Sequence, residues 1–110
     1  METENKGKPL GVFAYEFLGT AFIMYALMMQ IGAFNENVAI ITFGCMLQAW
    51  TVSGGHFNPA LTIGMFVAEK KAKNIVVAGT MIVAQFAGAF FGILLGFLSL
   101  IDDNGQNKLM

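Results

Sequence analysis

A polar, glycine-rich stretch from Thr51 to Gly64 interrupts a chain that is otherwise strongly apolar. At its centre, Asn58-Pro59-Ala60 predicts a helix start, because an Asn side chain accepts from the free N–H groups of a first turn and Pro suits the first helical position. Helix-compatible residues follow, from Pro59 to Ala68. Ten residues at 1.5 Å rise span roughly 15 Å, about half the hydrocarbon core of a bilayer. The stretch is either a capped soluble helix or half of a membrane span.

The composition decides between these two classes. Of the 110 residues, 56% are hydrophobic and 12% are charged, with a mean hydropathy of +0.66. Since a soluble domain carries about a quarter charged residues, the composition favours the membrane class. The chain has no arginine, and its six lysines form no patch suited to phosphate binding, which argues against a nucleic-acid partner. The single cysteine, Cys45, excludes an intrachain disulfide.

Three apolar segments are predicted to cross the bilayer. They cover residues of about 10–34, 38–52 and 75–101, with polar tails at 1–9 and 102–110. The first would be about 38 Å long as a helix. Gln48 and Gln85 lie in the second and third segments, and we expect both to face inward. Trp50 is either an interfacial anchor or a pore-lining residue.

Glu16 is the ionisable residue of the first predicted span. A carboxylate at membrane depth is costly, so it should face protein and not lipid. It is either a proton-relay acid or a structural acceptor for irregular backbone. A re-entrant glycine-rich loop needs such an acceptor, because its N–H groups lack intrahelical partners.

Small residues line one face of the third span. Gly88, Gly92 and Gly96 recur at four-residue spacing, which lets a second helix backbone approach closely. This face either packs inside the bundle or forms an oligomer contact.

Lysine positions predict the orientation. Five lysines lie on one predicted side and one on the other, at Lys6, Lys8, Lys70, Lys71 and Lys73 against Lys108. Because cytoplasmic loops carry the positive excess, we expect a cytoplasmic N-terminus and an extracytoplasmic C-terminus. The half-helix then enters from the cytoplasmic side and holds Asn58 near the midplane.

This geometry would select neutral solutes. A helix N-terminus carries roughly half a positive elementary charge, which repels cations. Irregular backbone at membrane depth is tolerated where it lines a water-filled path or is buried in protein. The carbonyls of Gly54, Gly55, His56 and Phe57, followed by the Asn58 amide, would form a hydrogen-bonding track. His56 either senses pH or pins the loop by hydrogen bonds.

The stretch Ser53-Gly54-Gly55-His56-Phe57-Asn58-Pro59-Ala60-Leu61-Thr62 resembles the first NPA loop of the aquaporin and aquaglyceroporin family, the major intrinsic proteins. Two further segments also resemble parts of this family, in the same order along the chain. Glu16-Phe17-Leu18-Gly19-Thr20 resembles the family's first helix, and Ala84-Gln85-Phe86-Ala87-Gly88-Ala89 resembles its third. The resemblance covers residues of about 10–101.

The resemblance implies roles for the residues of the NPA motif, Asn58, Pro59 and Ala60, and for the loop before it. Asn58 would donate its amide hydrogens to water at the pore centre, while Gly54, Gly55, His56 and Phe57 present carbonyls to the cytoplasmic half of the path. Glu16 would brace the loop. By spacing from Asn58, Val38 falls where the family has an outer-filter residue.

The implied fold is an all-α membrane protein that forms one inverted-repeat half of the aquaporin fold, with three transmembrane helices and, over 53–68, the NPA loop and its re-entrant half-helix. Family members carry two such halves, with a second NPA loop and a filter arginine. This chain has one Asn-Pro-Ala and no arginine, and it ends where a first half would end. We therefore expect a truncated product or a half that pairs with a separately encoded second half. The lysine bias disfavours a homodimer of mixed topology.

The predicted function is a passive channel for water or small neutral solutes such as glycerol, in a lipid bilayer and without a cofactor. The alternative is a non-conducting remnant or an interaction subunit of full-length family members. An enzyme is disfavoured, since Glu16, His56 and Cys45 form no nucleophile–base arrangement visible in the sequence.

Overall fold

A computed structural model describes residues 9–29, 36–70 and 74–101 of the chain. The regular elements in these ranges are four helices, α1 (Pro9–Met29), α2 (Glu36–Ala49), α3 (Pro59–Glu69) and α4 (Ile75–Ser99). The all-α expectation is therefore confirmed for the described residues. Two of these helices, α1 with 21 residues and α4 with 25, are long and apolar enough to cross a bilayer.

The two long helices begin close to their predicted starts. For α1, observed over Pro9–Met29, the predicted residues 30–34 lie outside the described part of the chain. The last helix, α4, ends at Ser99, two residues before the predicted end. The short helix α3 runs Pro59–Glu69, compared with 59–68 in the prediction.

The middle helix α2 differs most from its prediction. It ends at Ala49 and not at Val52, because the chain turns there. The N–H groups of Val52, Ser53 and Gly54 all donate to the Ala49 carbonyl, at 3.0, 2.8 and 3.1 Å. With 14 residues, α2 is about 21 Å long, shorter than the roughly 30 Å of a hydrocarbon core.

The packing is organised around α1 and α4, which lie side by side and run in the same direction. Gly88 of α4 faces the Phe17 carbonyl and Gly92 faces the Ala21 carbonyl, so closely that an added Cβ would lie 2.3 Å from each oxygen. Gly96 continues this face and is also buried. Only glycine permits such an approach of two helix backbones, so the glycine face is filled by α1.

The other two helices pack on this pair, with α2 along α1 and α3 against α4. Large apolar side chains point outward, and Phe86 and Phe90 of α4 are 64% and 72% exposed. Gln85 is buried as predicted. Gln48 is exposed, so its predicted inward position is wrong; α2 contributes Ala49 as its buried residue.

Candidate functional site

Glu16 is the centre of a buried polar cluster on α1. Its side chain is fully buried, and its two carboxylate oxygens accept four hydrogen bonds. The donors to Oε1 are Ser53 Oγ at 2.6 Å and the His56 N–H at 3.1 Å. The donors to Oε2 are the Phe57 N–H at 2.7 Å and Gln85 Nε2 at 2.9 Å. One carboxylate thus joins α1, the glycine-rich loop and α4.

The carboxyl group of Glu16 is hydrogen-bonded on both of its oxygens. All four contacts supply a hydrogen to a carboxyl oxygen. A buried charge is tolerated when it is hydrogen-bonded in this way. Charge-assisted hydrogen bonds are also the strong ones, each contributing about 1.5–3 kcal/mol.

The loop between α2 and α3 reaches Glu16 through a sharply turned backbone. Gly54 and Gly55 have φ values of 91° and 64°, which glycine adopts at no steric cost. Phe57 has a φ of 54°, a left-handed conformation that costs roughly 1–2 kcal/mol in a residue with a Cβ. The hydrogen bond from the Phe57 N–H to Glu16 offsets this cost.

Asn58 begins α3 by capping it. Its backbone is extended (φ −153°, ψ 120°) and its Oδ1 accepts from the Ala60 N–H at 2.9 Å. Pro59 fills the first helical position, where no N–H partner is needed. Because the cap uses Oδ1, the Nδ2 group is the remaining polar end of the exposed Asn58 side chain.

Thr62, one turn into α3, links the half-helix to the same cluster. It is fully buried, and its Oγ1 accepts from Gln85 Nε2 at 2.9 Å. The same oxygen lies 3.0 Å from His56 Nδ1 and donates to the Asn58 carbonyl at 3.3 Å. The Gln85 amide therefore bridges Glu16 and Thr62, and fastens α4 to both the loop and α3.

Three members of this cluster have no role in the sequence analysis. Ser53 and Thr62 lie inside the motif-bearing stretch, and Gln85 was predicted only to face inward. Thr62 follows Asn58 by four residues, and its hydroxyl reaches back one turn to the Asn58 carbonyl. That spacing was the available signal for Thr62; the pairing with Gln85 depends on how α3 packs against α4.

The remaining predicted site residues lie in different surroundings. Val38 is half-buried in the first turn of α2, where its carbonyl accepts from Thr42 Oγ1 at 2.8 Å. It takes no part in the hydrogen bonds between Glu16 and the loop. Among the described residues, no three His, Cys, Asp or Glu side chains lie together as metal ligands.

The chain matches one family over nearly its whole length. The family model described as "Major intrinsic protein" matches residues 5–109. The chain is 33% identical over 101 residues to the propanediol uptake facilitator PduF of Salmonella typhimurium, covering 76% of this chain and 35% of that protein.

Shorter matches have higher identity. The chain is 46% identical over 63 residues to aquaporin PIP2-5 of Oryza sativa subsp. japonica, covering 53% of this chain and 22% of that protein. It is 48% identical over 54 residues to aquaglycerol porin AQY3 of Saccharomyces cerevisiae, covering 46% of this chain and 8% of that protein. No solved structure matches significantly. The matched region is thus about a third or less of the length of these relatives.

Proposed function

The chain belongs to the major intrinsic protein family, and we propose that it forms one half of a membrane channel for water or small neutral solutes. The names of its relatives support this solute class, since they include an aquaporin, an aquaglycerol porin and a propanediol uptake facilitator. The other wall of the path is supplied by a second half of the same kind.

The observation that carries the proposal is the anchoring of a glycine-rich loop inside the helices, directly before a short capped helix. The 11 residues of α3 span about 16 Å, roughly half a hydrocarbon core. Glu16, at the middle of α1, accepts from the backbone of His56 and Phe57 at 3.1 and 2.7 Å. This contact supports a re-entrant segment, because it supplies the acceptor that irregular backbone at membrane depth requires. Glu16 is the brace of the loop.

The directions of the helices support three crossings. Because α1 and α4 lie side by side and run the same way, the chain between them has to return across the layer that they span. In the proposed topology α2, together with the chain on either side of it, makes this return, and α3 is the re-entrant half-helix. The lysine bias then puts the N-terminus and residues 70–73 in the cytoplasm and the C-terminus outside.

The proposed path runs along the carbonyl side of the loop. The N–H groups of His56 and Phe57 are turned toward Glu16, which supports an opposite side formed by the carbonyls of residues 54–57. The path then meets the Asn58 amide, a donor because its Oδ1 already accepts from Ala60. The positive end of α3 adds a barrier to cations. Val38 is proposed as an outer-filter position.

A second candidate function is a non-conducting subunit that associates with full-length family members. One observation favours it. Ile40, Phe43 and Leu47 recur at spacings of three and four along α2 and are 68%, 64% and 63% exposed, which is the pattern of a helix-packing face.

Osmotic shrinkage of proteoliposomes, measured by stopped-flow light scattering, separates these functions. Three preparations are compared with empty liposomes: the chain alone, the second half of the Salmonella facilitator alone, and both together. We expect flow of water or glycerol above the empty control only when both halves are present. An inverted second half completes the bore that one half leaves open.

The outcomes differ for each function. Empty-liposome rates in all three preparations would contradict the channel proposal. If the chain instead changes the rate of a full-length relative reconstituted beside it, the interaction subunit is favoured. Flow from the chain alone would show that a second copy completes the bore.

A further inference from the structure

The ring of Phe57 is seated against α1 at one glycine. A Cβ added to Gly19 would lie 2.2 Å from Phe57 Cε1, 2.5 Å from Cζ and 2.7 Å from Cδ1. Gly19 is itself buried. Three atoms of a rigid ring cannot move aside as the end of a flexible chain would, so a side chain at position 19 and a ring at position 57 exclude each other in this arrangement.

We call this contact between the Phe57 ring and Gly19 the seat. It matters because it accompanies an unusual backbone conformation at Phe57. Phe57 has a φ of 54°, in a region that residues with a Cβ rarely occupy. Two contacts with α1 accompany this conformation. One is the hydrogen bond of 2.7 Å from the Phe57 N–H to Glu16 Oε2, and the other is the ring against Gly19, almost one helical turn further along.

The two contacts constrain different degrees of freedom. The hydrogen bond fixes where the N–H of Phe57 points, but it allows the peptide to pivot about that direction. The contact between the ring and Gly19, almost one turn further along α1, prevents this rotation. The next peptide group carries the Phe57 carbonyl and leads to the Asn58 cap. Its orientation is set by both contacts together.

We propose that Gly19 is a positioning residue for the loop: by leaving room for the Phe57 ring, it holds position 57 in its left-handed conformation and sets the direction of the Phe57 carbonyl and of Asn58. The effect of Gly19 on solute passage rests on the proposed function. The contact between Gly19 and Phe57 does not depend on that function, and it can be tested without any flow measurement.

Hydrogen exchange at the backbone N–H of position 57 reports this contact directly, since a hydrogen-bonded amide exchanges through local opening. The full chain is measured in lipid nanodiscs by NMR. In Gly19→Ala we expect this amide to exchange at least about tenfold faster than in the wild type, because opening becomes easier. Gly79→Ala is the matched control, because a Cβ there meets nothing within 4 Å.

A compensating change tests the specific contact. Phe57→Leu lacks the two ring atoms, Cε1 and Cζ, that lie closest to the added Cβ. In the Gly19→Ala/Phe57→Leu double variant we expect exchange at position 57 to return to within about threefold of the Phe57→Leu single variant, since the clash is relieved. If Gly19→Ala alone does not fold, recovery of folding in the double variant gives the same support.

The proposal is overturned if Gly19→Ala exchanges at position 57 no faster than Gly79→Ala, or if Phe57→Leu fails to compensate in exchange and in folding. The two proposals fail separately. Absence of flow in liposomes with wild-type protein would contradict the channel, while leaving the exchange result and the seat unaffected.

Discussion

Replacing Glu16 by Gln perturbs the cluster with a nearly isosteric side chain that has one acceptor oxygen and one NH₂ donor. The carboxylate accepts from four donors at 2.6–3.1 Å. Either orientation of the new amide turns its NH₂ toward a backbone N–H, of His56 or of Phe57. The Ser53 hydroxyl can rotate to accept a hydrogen bond from this NH₂ group, whereas a backbone N–H can only donate.

The loss in the free energy of unfolding can be estimated from these contacts. One buried N–H left without an acceptor costs about 1–3 kcal/mol. The remaining bonds lose their charge assistance, about 1 kcal/mol each. An uncharged amide is less costly to bury than a carboxylate, which offsets part of the loss. We therefore expect Glu16→Gln to lower the free energy of unfolding by about 2–4 kcal/mol, a large share of the roughly 5–15 kcal/mol of a typical domain.

Reversible unfolding in mixed micelles, followed by circular dichroism as the SDS fraction rises, measures this loss. Glu36→Gln is the matched control, because Glu36 is exposed at the start of α2 and its replacement should cost less than about 1 kcal/mol. Equal effects of the two substitutions would refute the assignment of Glu16 as the anchor of the loop. So would a Glu16→Gln variant whose His56 and Phe57 amides remain as protected from exchange as in the wild type.

Two further substitutions test the packing in the same unfolding assay. Gly92→Ala places a Cβ against the Ala21 carbonyl and should destabilise the protein by about 1–3 kcal/mol. Its control, Gly79→Ala, adds a Cβ in open space and should stabilise the protein by up to about 1 kcal/mol. The same sign for both substitutions would contradict the close α1–α4 contact. Thr62→Val removes an acceptor of Gln85 and should cost about 1–2 kcal/mol. A neutral result would show that the Gln85 bridge contributes nothing.

Local chemistry made the start of α3 predictable from the sequence. Asn58 and Pro59 favour a helix start through contacts with their own neighbours, and the predicted and observed starts coincide. The presence of two long apolar helices was predictable for a similar reason, since a long apolar run is visible in the sequence without any tertiary contact. The family assignment, based on the stretch from Ser53 to Thr62, is confirmed by the match over residues 5–109.

Contacts between distant segments were not predictable in the same way. Gln85 and Gln48 are both amides in apolar segments, and only Gln85 is buried, because burial depends on which face α4 and α2 turn to α1. The end of α2 at Ala49 depends on three N–H groups that fold back to one carbonyl. An apolar run that continues to Val52 carries no sign of that turn.

Asn58→Asp, in liposomes that hold the chain and a complementary second half, tests the central claim most directly. Aspartate caps a helix as well as asparagine does, so the fold should survive, while a negative charge at the positive end of α3 should attract cations. Asn107→Asp in the C-terminal tail is the control of equal charge. The account predicts slower flow of neutral solute and a measurable cation leak for Asn58→Asp alone. Unchanged solute flow together with unchanged ion exclusion would contradict it.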